Sequence, residues 1–155
     1  MKLAHIVRSA VLVLLASTGL AFAQERGTIE EAKALVDKGL THIKAVGNDK
    51  AFADFTDKES GKWVNKDLYV FVVKTDGTTV AHGANKGLIG KSLIELKDPN
   101  GKLFIKEMID VGMKGSGMVE YSFTDPQTKK MAPKQSYVAR VPGFDGIIGV
   151  GAYKK

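Results

Sequence analysis

The sequence predicts a single α+β domain: a five-stranded antiparallel sheet, a long N-terminal helix on one face, and a loop-helix insertion that can cover the other. Three observations predict it. Apolar residues recur at helical spacing before residue 56, a β-branched and aromatic run begins at Leu68, and short turns join three strand-like runs near the C terminus. Short turns make neighbouring strands antiparallel. A length of 155 residues, with 26% charged and 44% hydrophobic, suits one globular domain.

The first 23 residues have the features of a signal peptide. Lys2 and Arg8 give a positive start, an apolar run follows, and Ala21-Phe22-Ala23 supplies the small residues that a signal peptidase recognises. We expect cleavage after Ala23, export to the periplasm, and a mature domain of residues 24–155. Because no other long apolar run follows, the sequence predicts no membrane span after cleavage.

The helical part begins with a capping box, in which Thr28 and Glu31 satisfy each other's backbone amides. Apolar residues then recur with a helical period as far as Phe55. The segment Val46-Gly47-Asn48-Asp49 interrupts this period. The sequence therefore predicts either one long interrupted helix over residues 29–56 or two consecutive helices.

The strands follow in the order that the sheet requires. "LYVFVVKT" from Leu68 predicts a strand buried on both faces, Asp76-Gly77 predicts a two-residue hairpin turn, and "TTVAHG" predicts the returning strand. Residues 102–113 are predicted to form the helix of the insertion. Three strands complete the sheet: "MVEYSFT", "KQSYVARV" and "IIGVGAY".

Composition and motifs exclude several classes of protein. The chain has no cysteine, which excludes a lipoprotein, disulfides, haem attached through cysteine and thiolate metal sites. Its lysines are scattered despite a net charge of +6, so nucleic acid is not an expected partner. We find no G-x-S-x-G or H-E-x-x-H motif and predict no enzyme activity, no metal site and no cofactor. His42 is interpreted as a residue on the helix surface.

A set of short motifs, spread in order over about a hundred residues, resembles a single Cache domain. Cache domains are PAS-like extracytoplasmic sensor domains of bacterial chemoreceptors and sensor kinases. The resemblance covers residues 28–153 and is carried by Tyr69-Val70-Phe71, Asp76-Gly77, Ala81-His82, Gly90-Lys91, Lys97 to Gly101, Gly117 with Glu120-Tyr121, Pro133-Lys134 with Ser136-Tyr137, and Gly149 to Tyr153. It implies a PAS-like fold that binds a small organic anion, often acetate, propionate or pyruvate, between the sheet and the insertion.

The resemblance favours Lys134, in "PKQSY", as the charge partner of such a ligand. A buried carboxylate needs a cation nearby, because an unpaired buried charge is unstable. Tyr121, Tyr137 and Tyr69 could each supply an apolar wall and a hydroxyl donor. Tyr121 is favoured together with Lys134, and the pattern leaves open which face of the sheet carries Tyr69. Lys134 and Tyr137 are three residues apart and face opposite sides of a regular strand, so Tyr137 is the weaker candidate.

Three further candidates each have two possible roles. His82 ends the second strand, where its ring could donate to a carboxylate or could bond a backbone group and fix the following loop. Trp63 could line the pocket, although a position at the helix–sheet junction is favoured. Met108 is expected to pack the insertion helix onto the sheet and could touch the apolar end of a ligand.

Two function classes follow from these residues. The first is a periplasmic small-ligand-binding domain of the sensor type, specific for a short carboxylate. The second is a non-catalytic interaction protein that docks onto a membrane-bound sensor or another periplasmic partner. The chain stops two residues after Tyr153. We therefore interpret it as a stand-alone secreted copy that would need such a partner to pass on a signal.

Overall fold

Two consecutive helices open the part of the chain that the structure describes. The structure is a computed structural model and describes residues 25–154, so the predicted signal peptide lies outside it. Helix α1 spans Ile29–Val46 and α2 spans Asn48–Thr56. The predicted capping box is present at the start of α1. Of the two alternatives left by the sequence, the chain forms two helices, because Gly47 takes a φ of 85° that ends the first.

The sheet is antiparallel throughout and contains the five predicted strands. Their bounds are β2 Leu68–Lys74, β3 Thr79–His82, β4 Ser116–Thr124, β5 Met131–Arg140 and β6 Gly146–Tyr153. Strand β2 pairs with β3 and β6, and β5 lies between β6 and the edge strand β4. Every residue of β6 is buried, which places this strand at the centre of the domain.

A sixth strand was not predicted. Strand β1 is the two-residue segment Val64–Asn65, which pairs with the start of β2. Lys66 in the connecting turn has a φ of 58°. A lysine is uncommon in this left-handed region, and neither loop residue, Lys66 or Asp67, is the glycine or asparagine that usually marks such a turn.

Each face of the sheet carries its own hydrophobic layer. Helices α1 and α2 pack on one face against residues such as Val70, Val72 and Ile148. Helix α3, Phe104–Met113, packs on the other face against residues such as Phe71 and Ile147. Alternate residues of one strand therefore serve opposite layers, as the period of two requires. This arrangement confirms the predicted α+β fold with a helix on one face and an insertion on the other.

The crossover between β3 and α3 is tied to the sheet rather than loose. It runs over residues 83–103 and contains one short 3₁₀ turn, Lys86–Leu88. The Thr79 amide donates to the Lys91 carbonyl, and the Gly90 amide donates to the Thr79 carbonyl. Near its end, the Asp98 carboxylate accepts from the backbone amides of Lys102 at 3.0 Å and Ser122 at 3.2 Å. The crossover is thus held at both β3 and β4.

Residues 25–154 contain no helix that is both long enough and apolar enough to cross a membrane.

Candidate functional site

A buried lysine lies at the centre of the insertion-side face. Lys134 is on β5, its side chain is only 1% exposed, and its Nζ donates to the Tyr69 hydroxyl at 2.6 Å. Nζ lies 4.2 Å from the ring centre of Tyr69, 4.6 Å from that of Tyr153 and 5.5 Å from that of Phe123. Within residues 25–154 this ammonium makes no ion pair. Its contacts with three rings replace only part of the solvation by water.

Burial lowers the pKa of Lys134 from 10.5 to about 7, because a charged amine is poorly solvated in this surrounding. The carboxylates of Asp67 and Asp125 attract the ammonium and oppose this fall. The amine therefore changes its charge near neutral pH, and an additional negative charge beside it would raise its pKa again.

The two aspartates are neutralised in part by an arginine. Arg26 Nη1 lies 3.1 Å from Asp67 Oδ2, and Arg26 Nη2 lies 2.6 Å from Asp125 Oδ2. Asp67 also accepts from the Gly27 amide at 2.6 Å. These residues come from three distant parts of the chain, and sequence reasoning missed them because none belongs to a local motif. The two carboxylates and the guanidinium together carry one net negative charge, which attracts the Lys134 ammonium.

A small cavity lies between the sheet and the insertion. Lys134 does not line it, but two of the rings that surround Lys134 Nζ, those of Tyr69 and Phe123, do. The volume of the cavity is about 30 Å³. This is enough for about one or two water molecules, so the cavity must enlarge before it can hold a carboxylate. Eight of its lining side chains are apolar and four are polar: Phe71, Val73, Leu88, Leu93, Phe104, Ile105, Met108 and Phe123, with Tyr69, Thr79, His82 and Tyr121.

His82 both fixes the crossover and lines the cavity. Its Nδ1 accepts from the backbone amides of Asn85 at 3.0 Å and Ala84 at 3.3 Å. Burial, together with the charges of Lys134 and Lys58, lowers its pKa from 6.5 to about 4. The ring is therefore neutral near pH 7, and because Nδ1 accepts, the hydrogen is on Nε2. His82 therefore has the predicted structural role of fixing the loop, and its Nε2–H remains available to donate to a ligand.

Tyr121, Tyr69 and Met108 also reach the cavity. The Tyr121 hydroxyl lies 2.9 Å from Ser136 Oγ, and its ring stacks on Phe104 with centres 4.7 Å apart. The Tyr69 ring lies 4.9 Å from that of His82, so the two form one wall. Met108 comes from α3 and closes the cavity from the insertion side.

Tyr137 and Trp63 do not reach the cavity. Tyr137 is on the opposite face of β5 from Lys134, as the strand period predicts, and packs in the layer of α1 and α2. Trp63 packs in the same layer against Phe55, with ring centres 4.6 Å apart, which is the favoured junction position. Both side chains are separated from the cavity by the sheet.

Thr79 is a cavity residue that sequence reasoning missed. It is three residues before His82, so a regular strand would turn the two to opposite faces. The pairing register shifts here: Val72 pairs with Ala81, but Val73 pairs with Thr79, which leaves Val80 as an extra residue. This bulge brings both Thr79 and His82 to the cavity. An extra residue of this kind leaves no mark in a sequence pattern.

Comparisons with known proteins place this geometry in a family. Over 88 residues the chain is 32% identical to the sensor histidine kinase MctS of Rhizobium johnstonii, and over 85 residues 32% identical to the methyl-accepting chemotaxis protein CtpM of Pseudomonas aeruginosa. These segments are 57% and 54% of this chain but only 19% and 15% of the two relatives. The chain thus spans less than a fifth of either relative.

Three solved structures share the fold. A methyl-accepting chemotaxis protein from Vibrio parahaemolyticus has a TM-score of 0.70 at 29% identity, covering 80% of this chain and 86% of its own. The periplasmic sensor domain of a chemotaxis protein has a TM-score of 0.63 at 27% identity, with coverage of 82% and 90%. A Cache chemosensory domain, described for its carboxylic acid recognition, has a TM-score of 0.67 at 24% identity, with coverage of 81% and 92%.

The family profile described as "Single Cache domain 2" matches residues 11–155, nearly the whole chain. The predicted resemblance is confirmed, and the order of strands, the two faces and the insertion-side cavity agree with it. The chain belongs to the single Cache domain 2 family of ligand-sensing domains.

Proposed function

We propose that this domain senses a short carboxylate, such as acetate, propionate or pyruvate, in the cavity between the sheet and the insertion. The observation that carries the proposal is Lys134, a buried amine without an ion-pair partner in the described residues. Two of the rings around it, those of Tyr69 and Phe123, line a mostly apolar cavity. Burying a charge at such a position is unfavourable for folding alone, and a small anion would compensate it.

The charge of Lys134 couples binding to proton uptake. Because its pKa is about 7, a large fraction of the amines is neutral in the unliganded protein at neutral pH. A carboxylate beside the amine favours the charged form and raises the pKa. Binding above pH 7 should therefore take up protons, and affinity should fall as the pH rises past 7.

Two other polar groups can donate hydrogen bonds to the oxygens of a carboxylate. The Tyr69 hydroxyl touches the ammonium, and Nε2–H of His82 is available at the same wall of the cavity. We propose that both donate to the carboxylate oxygens. Met108, Phe71 and the other apolar lining residues would surround the carbon chain.

The relatives support different parts of this proposal. The carboxylic-acid-recognising domain is 24% identical, so it supports the fold and leaves the ligand class to be argued from Lys134. The 27% identical structure is a periplasmic sensor domain, and we propose the periplasm for this chain as well. Both curated relatives are much longer sensory proteins, and a membrane-bound sensor is the partner class that we propose. Failure to recover one by pull-down from periplasm would count against that partner.

Calorimetry and thermal melting with acetate, propionate, pyruvate and lactate test the ligand class. We expect at least one acid to bind and to raise the melting temperature, since a ligand that binds only the folded state stabilises it. Lys134→Met keeps the length of the side chain and removes its charge, and should weaken binding by about 100-fold. Lys106→Met removes an exposed charge from α3 and should leave binding unchanged.

The proposal has a clear failure. If no member of a wide panel of carboxylates, amino acids and amines shifts the melting temperature of the wild-type protein, the domain does not bind such ligands. If a carboxylate binds equally well to Lys134→Met, the site lies elsewhere.

A further inference from the structure

The cavity contains a second polar group that the proposed carboxylate contacts do not use. Thr79 is 1% exposed, and its Oγ1 has no hydrogen-bond partner within residues 25–154. The residue lines the cavity and is surrounded there by apolar side chains such as Val73, Leu93 and Phe104. A buried hydroxyl without a partner is rare, and it destabilises the fold unless something else satisfies it.

An irregular feature of the backbone places the Thr79 side chain on the insertion side of the sheet, where it lines the cavity. The bulge at Val80 turns Thr79 to the insertion side, whereas Val80 and Ala81 pack in the layer of α1 and α2. The backbone amide and carbonyl of Thr79 are both bonded to the crossover, to Lys91 and Gly90. The backbone is thus satisfied and fixed, and the side-chain hydroxyl alone is left without a partner.

The distance between the two polar ends limits the ligand. His82 pairs with Phe71 and Thr79 pairs with Val73, two positions further along β2. Two positions on a strand correspond to about 7 Å. A hydrogen bond of about 2.8 Å at each end, inclined to the line between the two positions, leaves roughly 3–5 Å between the two ligand oxygens, which is a few bonds. A second oxygen on carbon 3 or 4 of the acid satisfies this limit.

We propose that Thr79 determines specificity by hydrogen bonding a second oxygen of the ligand, so that the domain prefers short carboxylates with a hydroxyl or carbonyl on carbon 3 or 4. A threonine hydroxyl can donate to a carbonyl and accept from a hydroxyl, so both groups are suitable. An unsubstituted acid of the same size would leave Oγ1 without a partner, and this difference produces the preference. The inference rests on the proposed carboxylate site.

Two acids of the same shape test it. 3-Hydroxybutyrate and 3-methylbutyrate differ only in a hydroxyl in place of a methyl group. Calorimetry should show that the wild-type protein binds 3-hydroxybutyrate about tenfold more tightly, the effect of one hydrogen bond to a buried group. Thr79→Val keeps the side-chain shape and should abolish or reverse the preference, whereas Thr79→Ser should retain it.

A second measurement does not need a ligand. Thr79→Val removes the unpartnered hydroxyl and places a strong strand former on β3, so the unliganded variant should melt at a higher temperature than the wild type. Thr41→Val is the matched control, because Thr41 is exposed on α1 and its hydroxyl already donates to the Asp37 carbonyl. This control should neither raise the melting temperature in the same way nor alter the preference between the two acids.

The possible failures can be told apart. If acetate or propionate binds but the two test acids bind equally well, or do not bind, the role of Thr79 is overturned and the carboxylate site stands. The same holds if Thr79→Val keeps the wild-type preference. If no carboxylate binds the wild-type protein at all, the carboxylate site and the role of Thr79 fall together.

Discussion

At the scale of single residues, the domain depends on polar groups placed where the fold alone would favour apolar ones. Lys134, Thr79 and His82 are all buried on the insertion side of the sheet. His82 is satisfied at Nδ1 by two backbone amides. Lys134 and Thr79 are not compensated in the same way, and their cost to stability is the physical reason for assigning them to a ligand.

The first prediction concerns the stability of the folded protein as a function of pH. Folding lowers the pKa of Lys134 from 10.5 to about 7. Between these values the unfolded chain binds a proton that the folded protein does not, so this residue makes stability rise with pH across that window. Below pH 7 both states are protonated there, and the full penalty of the buried charge applies.

Lys134→Met should remove this penalty. We expect the variant to exceed the wild type in free energy of unfolding by on the order of 4 kcal/mol at pH 6, and by about half as much at pH 9. Urea denaturation of both proteins at several pH values measures the difference. Lys106→Met should follow the wild-type curve, and a constant difference between Lys134→Met and wild type would show that the amine does not titrate in this window.

At the scale of the elements, two helices approach β6 through glycines. A Cβ on Gly112 of α3 would lie 2.6 Å from Ile147 Cγ2 and 3.2 Å from its Cβ. A Cβ on Gly39 of α1 would lie 2.6 Å from Ile148 Cδ1, the tip of that side chain. The two isoleucines are neighbours on β6 and point to opposite faces. Each helix therefore needs a small residue at its closest point to the sheet.

These two glycines should respond differently to the same substitution. Gly112→Ala meets branched atoms next to the β6 backbone, which cannot move away, and should lower the free energy of unfolding by about 1–3 kcal/mol. Gly39→Ala meets only a side-chain tip that can rotate, and alanine stabilises a helix by about 1 kcal/mol relative to glycine, so it should be close to neutral. Urea denaturation compares them. Equal losses would mean that both helices are held with equal rigidity.

The regular elements could be predicted from the sequence, and the irregular ones could not. Helical spacing, the capping box and the strand-like runs are patterns between residues that are close in the sequence. Such local patterns can be read from the sequence directly. Three features were not predicted. The first is strand β1, which precedes a turn with Lys66 at positive φ. The others are the four-residue turn 75–78, where two residues were expected, and the start of β5 at Met131, before Pro133. Each departs from the residue preferences of its type.

The site was predicted in part for the same reason. Lys134 could be selected through a motif, and strand parity separated it from Tyr137. Thr79 could not be found, because it reaches the cavity through a bulge. The cluster of Arg26, Asp67 and Asp125 joins residues 41 and 99 positions apart, a distance over which no local pattern operates.

At the scale of the whole molecule, the two faces of the sheet have different tasks. The layer of α1 and α2 is formed by apolar side chains, includes Tyr137 and Trp63, and has the half-buried His42 ring at its margin, 4.8 Å from the ring of Trp63. The insertion side contains the buried polar groups and the cavity. A ligand would therefore act on the crossover and α3 first, whereas the opposite layer supplies stability that ligand entry does not disturb.

Hydrogen exchange with and without propionate tests this division. A cavity of about 30 Å³ cannot hold the acid, so the cavity must enlarge for binding, and we expect the insertion to open and then close around the ligand. A bound carboxylate favours the closed, filled state. We expect the added protection to concentrate in residues 83–103 and in α3. The α1 amides that exchange through local opening should show little change in protection. Lys134→Met lacks the charge that holds the acid, so it should show little added protection at a propionate concentration that just saturates the wild type. Protection centred on α1 and α2 instead would place the ligand on the other face of the sheet.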